Sequence, residues 1–143
     1  MSTLTLEQAR RIIDAAFNAG AEHGYKPLAV IVLDAGGHAR AFARQDGASN
    51  LRFQIAHGKA YGALGLGVGS RALMQRAEEQ AYFIAAATAA AGGALVPVPG
   101  GVLVADTEGE IIGAVGVTGD TSDHDEVAAV AGIESVGLTA ITG

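Results

Sequence analysis

Apolar and polar positions recur along this chain with two periods. Leu6, Ala9, Ile13, Ala16, Phe17 and Gly20 follow helical spacing, with Arg10, Arg11 and Asp14 mostly to one side, which predicts an amphipathic first helix. Thr5 and Gln8 have the spacing of a capping box, and Gly20 and Gly24 offer exits. Leu28 to Leu33 is a β-branched apolar run. It ends in the turn Asp34-Ala-Gly-Gly37, and His38 to Arg44 alternates as a return strand. Ser49 or Asn50 can cap a second helix running through Phe53, Ile55, Ala56 and Lys59 towards Leu64, broken by Gly62, Gly65, Gly67 and Gly69. Helical regions follow from Ser70 to Gln80 and from Ala81 to Ala91, the latter stopped by Gly92-Gly93. Val102 to Ala105 and Glu110 to Val117 predict a second hairpin, and Asp123 to about Val136 a last helix. The tail from Gly137 to Gly143 is either loose or in contact with a neighbour.

The order α-β-β-α-α-α-β-β-α predicts an antiparallel sheet flanked by helices, an α+β fold. Nothing in the 143 residues marks a linker, so one domain spans 1–143. The two hairpins share a pattern, Val30 to Gly37 and Val102 to Gly109, that common turn geometry accounts for.

Composition narrows the chemistry. There is no cysteine, which excludes disulfides, thiol nucleophiles and thiolate metal sites. The formal charge is −6 and the nine basic residues are scattered, which argues against nucleic acid, as do seven aromatics without tryptophan. The opening MSTLTLEQARR lacks the form of a secretion signal, and the apolar stretch Ala81 to Leu95 is too short to cross a bilayer. The expectation is a cytoplasmic protein with no membrane contact. Twenty-one glycines and 30 alanines let helices approach closely, as self-assembly favours.

Candidate functional residues are few. Gly65-Leu-Gly67-Val-Gly69 lacks the spacing of a nucleotide loop and reads as a connection between helices. His23, His38, His57 and His124 show no metal-ligand spacing, so no metal site is expected. His57 stands out beside Gly58, where a missing side chain would let a flat ligand or another subunit approach. His38 starts a strand next to a Gly-Gly turn and either reaches a cleft or faces water. Arg44, ahead of Asp46-Gly47, can grip a carboxylate or close a turn ion pair. Lys59 lies among Ala56, Ala60 and Ala63; partial burial there would lower its pKa and suit it to acid–base work or anion binding. From Thr118 to Glu126 the chain is densely polar. Capping by Ser122 or Asp123 explains much of this, and a ligand-facing role for Thr118 or Asp125 stays open.

Taken together, the segments resemble the GlcG/HbpS family, which also matches the C-terminal domain of PduO-type proteins. The carriers are Leu4-Thr-Leu-Glu7-Gln-Ala9, Val32-Leu-Asp34 with Gly37, Arg44-x-Asp46-Gly47-Ala48, Ala56-x-x-Lys59-Ala60, Gly92-Gly93 with Pro97, Gly113-Ala-Val-Gly116-Val-Thr-Gly119, and Asp125-Glu126 with Ala129 and Gly132. The resemblance covers nearly the whole chain. It implies a profilin-like domain with a five-stranded antiparallel sheet flanked by helices. It also implies homo-oligomers, from dimers to octamers. Some members bind haem, and one branch is named for haem degradation.

Two functions follow. The first is binding of haem or a similar planar cofactor, with His57 or His38 as axial donor, Arg44 and Lys59 for the propionates, and Thr118 and Asp125 nearby. The second is a cofactor-independent enzyme, an isomerase, lyase or hydrolase, acting on a small organic acid or carbonyl compound. There Arg44 would orient a carboxylate, Lys59 or His57 would move a proton, and Asp46 or Asp125 would tune them. A scaffold oligomer without chemistry is the third reading.

Overall fold

The computed structural model describes residues 3–143. In chain order these form helix α1 (Leu6–His23), strands β1 (Ala29–Asp34) and β2 (Ala39–Arg44), helices α2 (Arg52–Leu66), α3 (Ser70–Glu79) and α4 (Ala81–Ala90), strands β3 (Gly101–Ala105) and β4 (Ile111–Thr118), helix α5 (Ser122–Ser135) and strand β5 (Thr139–Ile141). The strands make one sheet in the order β2-β1-β4-β3-β5, every pair antiparallel. The five-stranded α+β architecture expected from the resemblance is therefore present.

Alternation along the strands splits the core into two layers. Val30 and Val32 of β1, Val102 and Val104 of β3, and Val115 and Val117 of β4 pack under α1 and α5. Their neighbours Ile31, Leu33, Leu103 and Ala114 face the other way, under Ala56, Ala60 and Ala63 of α2. A period of two in the strands meets helices on both sides, so the inner strands are buried throughout. Helix α2 sits unusually close to the sheet. A Cβ on Gly116 would strike the Ala56 carbonyl, and one on Gly101 would strike the Lys59 carbonyl. These glycines let the helix backbone rest directly on the strands.

The start of α1 follows its sequence signal. Gln8 N donates to Thr5 Oγ1 at 3.1 Å and Thr5 N donates to Gln8 Oε1 at 3.0 Å, completing the capping box. Gly24 closes the helix at φ 71°.

Four local expectations need correction. Helix α2 has no side-chain cap; its N-cap is Leu51, and Ser49 Oγ instead accepts from Arg52 Nε. Gly62 and Gly65 lie inside α2 rather than breaking it; Leu95 occupies the space above Gly62, and nothing lies near a Cβ at Gly65. The cap of α5 is Thr121, whose hydroxyl accepts from His124 N at 3.2 Å. The tail is not loose, and its contact is with its own sheet: β5 pairs with β3 through Leu103 and Ile141. Among the described residues no helix is long and apolar enough to cross a membrane.

Candidate functional site

The largest fully buried side chain is a charged one. Lys59, on the sheet-facing side of α2, extends past Gly100 and donates to Val117 O at 2.9 Å and Asp125 Oδ2 at 3.1 Å. Gly100 has φ 120°, and a Cβ there would lie 2.8 Å from the ammonium nitrogen. Both side chains of the pair are only 2% exposed. The other Asp125 oxygen accepts from Asp120 N at 2.9 Å. Burial pushes the Lys59 ammonium down, opposed by Asp125 and assisted by the nearby Arg52 charge. Burial pushes the Asp125 carboxyl up, opposed first by Lys59. Thr118 closes this end of the sheet, also buried, and its hydroxyl accepts from Arg52 Nη1 at 2.7 Å. Three of the residues chosen from sequence, Lys59, Thr118 and Asp125, are thus brought together, and Arg52 joins them.

His57 lies on a different face of α2. Its ring stacks between Phe53 (centroids 6.0 Å, planes 7° apart) and Tyr61 (5.1 Å, 23°). Phe42 of β2 meets Phe53 edge-on. The i, i+4, i+8 spacing of one helix produces this ladder. The other three histidines have protein partners: His23 Nδ1 with Ala19 O, His38 Nδ1 with Asp34 Oδ1 at 3.5 Å, and His124 Nδ1 with Asp120 Oδ1 at 2.6 Å. His57 has no protein hydrogen bond among the described residues, and it is half-buried. Gly58 is not open to a ligand as expected, because Val96 fills its place and Val96 N donates to Gly58 O.

Next to the ladder, Tyr61, Gly62, Gly65 and Leu66 of α2 face Ala87 and Ala90 of α4 with Ala91 and Leu95, leaving a groove of about 230 Å³. Phe53, Tyr61, Leu66 and Tyr82 are exposed around it or on the same two helices.

The remaining candidates lie apart. The His38 side chain is 83% exposed and shares a cavity of about 560 Å³ with Asp34, Arg40 and Glu110. Arg44 and Asp46 line a groove with Gly20, Tyr25 and Pro27, in which neither His57 nor Lys59 takes part. The acidic segment is mostly structural. Asp120 accepts from Lys26 N and Thr121 N, and these bonds with His124 lower its pKa to about 2. Arg71 of α3 holds Asp123 and Glu126. Among the described residues no group of three or more histidines and acids is placed to hold a metal ion. Sequence reasoning missed Arg52 and the aromatic ladder. The ladder was legible as aromatic residues flanking His57 at four-residue intervals; Arg52 had no such signal.

These features define an α+β fold with helices on both faces of a five-stranded antiparallel sheet. Residues 4–134 match the family model of the haem degrading protein HbpS-like, and the chain belongs to that family. Among solved structures it is similar to a double mutant of HbpS from Streptomyces reticuli, with 28% identity, TM-score 0.80, and 96% of this chain and 89% of that chain covered. The Klebsiella pneumoniae protein ORFY is 25% identical with TM-score 0.84, over 94% of this chain and 90% of that one. A PduOC:heme complex shares the fold, with TM-score 0.86 at 20% identity, over 96% and 97%. No curated protein matches the chain.

Proposed function

We propose that this protein is a homo-oligomeric binder of haem or a similar planar cofactor, held in an apolar recess near a subunit interface with His57 as axial donor. The family and the haem complex of a structural neighbour support a haem-related role. The single observation that carries the reading is His57 itself. It is a half-buried imidazole in an aromatic wall with both ring nitrogens unclaimed among the described residues. A porphyrin requires an axial donor and apolar walls. Phe53, Tyr61 and the small-residue groove supply walls of that kind. His38 lines a cavity with Leu4, Ile111 and Ile112, but its side chain is mostly in water and its Nδ1 faces Asp34. Bound haem would supply iron-centred ligand and redox chemistry; the chain's part is to orient the imidazole and exclude water from the ring.

The groove beside the ladder is too small on its own. The groove's 230 Å³ falls below the about 300–1,000 Å³ of ordinary ligand sites. Helix α4 is apolar along its length, yet among its residues only Ile84 is buried and Tyr82 is 73% exposed. Such a surface suits coverage by a second copy, which would also deepen the groove.

The enzyme reading has less support in the geometry. The Lys59 amine is sealed against Val117 and Asp125, and Arg44 and Asp46 sit in a separate groove.

Titration with haemin, followed at the Soret band, tests the proposal. Saturation at a fixed ratio is expected, weakened at least tenfold, on the order of one lost coordinating contact, by His57→Ala and unchanged by His38→Ala. An unsaturable response, or a His57→Ala protein that binds like wild type, rejects it.

A further inference from the structure

Arg52 is fixed by two neutral hydroxyls, one of them on the buried Thr118, whereas the exposed Arg76 is held by Gln80 Oε1 and the Phe83 ring. Arg52 is half-buried, its Nε donates to Ser49 Oγ at 2.9 Å, and its Nη1 donates to Thr118 Oγ1 at 2.7 Å. Both partners are neutral hydroxyls. Among the described residues no carboxylate pairs with Arg52, whereas Arg71 has two. A guanidinium carries five N–H donors. Two are used here, and both hydrogens of Nη2 remain.

The nearest charges sharpen the point. Asp125 is committed to Lys59 and to the Asp120 amide. Arg52 is close enough to Lys59 for its charge to disfavour the ammonium. The buried carboxylate of Asp125 is thus taken by Lys59, and Arg52 is left with neutral partners. A half-buried, orientation-locked cation without an anion is costly unless something else supplies the negative charge. Arg40 and Arg44 are exposed, without side-chain hydrogen bonds among the described residues, and would have to be ordered by any ligand they bound.

We infer that Arg52 is a preorganised carboxylate-binding group, fixed by Ser49 and Thr118, and that its guest is a carboxylate of a haem propionate or of a small organic acid. Its planar fork suits that geometry. Thr118 is too buried to touch the guest and acts as a positioning residue through Arg52. The propionate case rests on the haem reading; the organic-acid case does not.

The full chain is followed by ¹⁵N NMR at the arginine Nε–H resonances as sodium succinate is added, against sodium chloride at equal ionic strength. The expected result is a saturable shift at Arg52 with little movement at Arg40 and Arg44. Equal, unsaturating shifts at all three overturn the inference. Thr118→Val should weaken the Arg52 response and Thr118→Ser restore it. Haemin and haemin dimethyl ester, whose propionates are capped, separate the two sources. With a propionate as guest, wild type binds haemin about tenfold more tightly than the ester, and Arg52→Gln binds both like the ester. Equal binding of haemin and ester, with Arg52 still saturating on succinate, assigns the site to a small acid. Absence of any Soret change rejects the haem reading alone, because the succinate result is obtained without haem.

Discussion

Lys59 Nζ lies 3.1 Å from Asp125 Oδ2, and this contact joins α2 over one face of the sheet to the first turn of α5 beyond its end. Neither side chain touches water to any extent. Removing the cation strands a carboxylate in the interior, and that penalty exceeds whatever net stability the pair provides. Lys59→Met is expected to lose about 3–5 kcal/mol in chemical denaturation. The double variant Lys59→Met with Asp125→Leu is expected to recover a large part of it. Equal losses in the single and double variants would show that the two residues do not act as a pair.

Acid should unlock the segment next to this pair. Asp120 holds the Lys26 and Thr121 amides and pairs with His124, so its folded pKa of about 2 lies below the ordinary 3.8. A depressed carboxyl pKa adds stability that is full above the unfolded value and is lost as pH falls through the folded one. Asp120→Asn should therefore be less stable than wild type at pH 7 and still so at pH 4. The gap should close as pH falls towards 2. Denaturation midpoints at those pH values, with a gap independent of pH, would show that ionised Asp120 contributes nothing.

The seat of α2 predicts a third result. Gly116→Ala would push a methyl group into the Ala56 carbonyl and to within 3.1 Å of Ala60 Cβ. Overpacking of this kind costs about 1–3 kcal/mol. The cost should appear as a lower midpoint in thermal unfolding, with weaker haemin binding where the shift reaches His57. Gly109→Ala gives a comparison without crowding, since nothing lies near a Cβ there; its positive φ alone sets the cost.

Assembly can be tested on α4. Tyr82 and Ala86 are exposed on a helix with little polar surface. The proposed oligomer requires a wild-type mass that is a multiple of the 14.3 kDa chain by light scattering, and a monomeric wild type rejects it; Tyr82→Glu with Ala86→Glu should reduce that mass to one chain without changing the far-ultraviolet spectrum. An undiminished assembly would place the subunit interface elsewhere.

Local chemistry made most of this fold legible. The Thr5 capping box, the Gly24 exit and both hairpins depend on neighbours within a few residues, and each is where the pattern puts it. The cap of α5 falls at Thr121, ahead of both Ser122 and Asp123, because all three have capping side chains and only backbone geometry chooses among them. Strand β5 was illegible because three residues, Thr139–Ile141, carry no periodicity; the open edge of β3 recruits them. In the site, burial of Lys59 was foreseeable from the alanines around it. Its pairing with Asp125, 66 positions away, is a product of tertiary structure. Arg52 was missed for the same reason: the hydroxyl that fixes it comes from Thr118 on β4.

The proposed function rests on the His57 imidazole, and the most direct measurement is a crystal structure of the haemin-loaded protein. The expected result is iron bonded to a ring nitrogen of His57, with the porphyrin against Phe53 and Tyr61 and a second copy closing the recess. Haemin bound elsewhere on the chain, or iron held by another residue while His57 stays free, would contradict it.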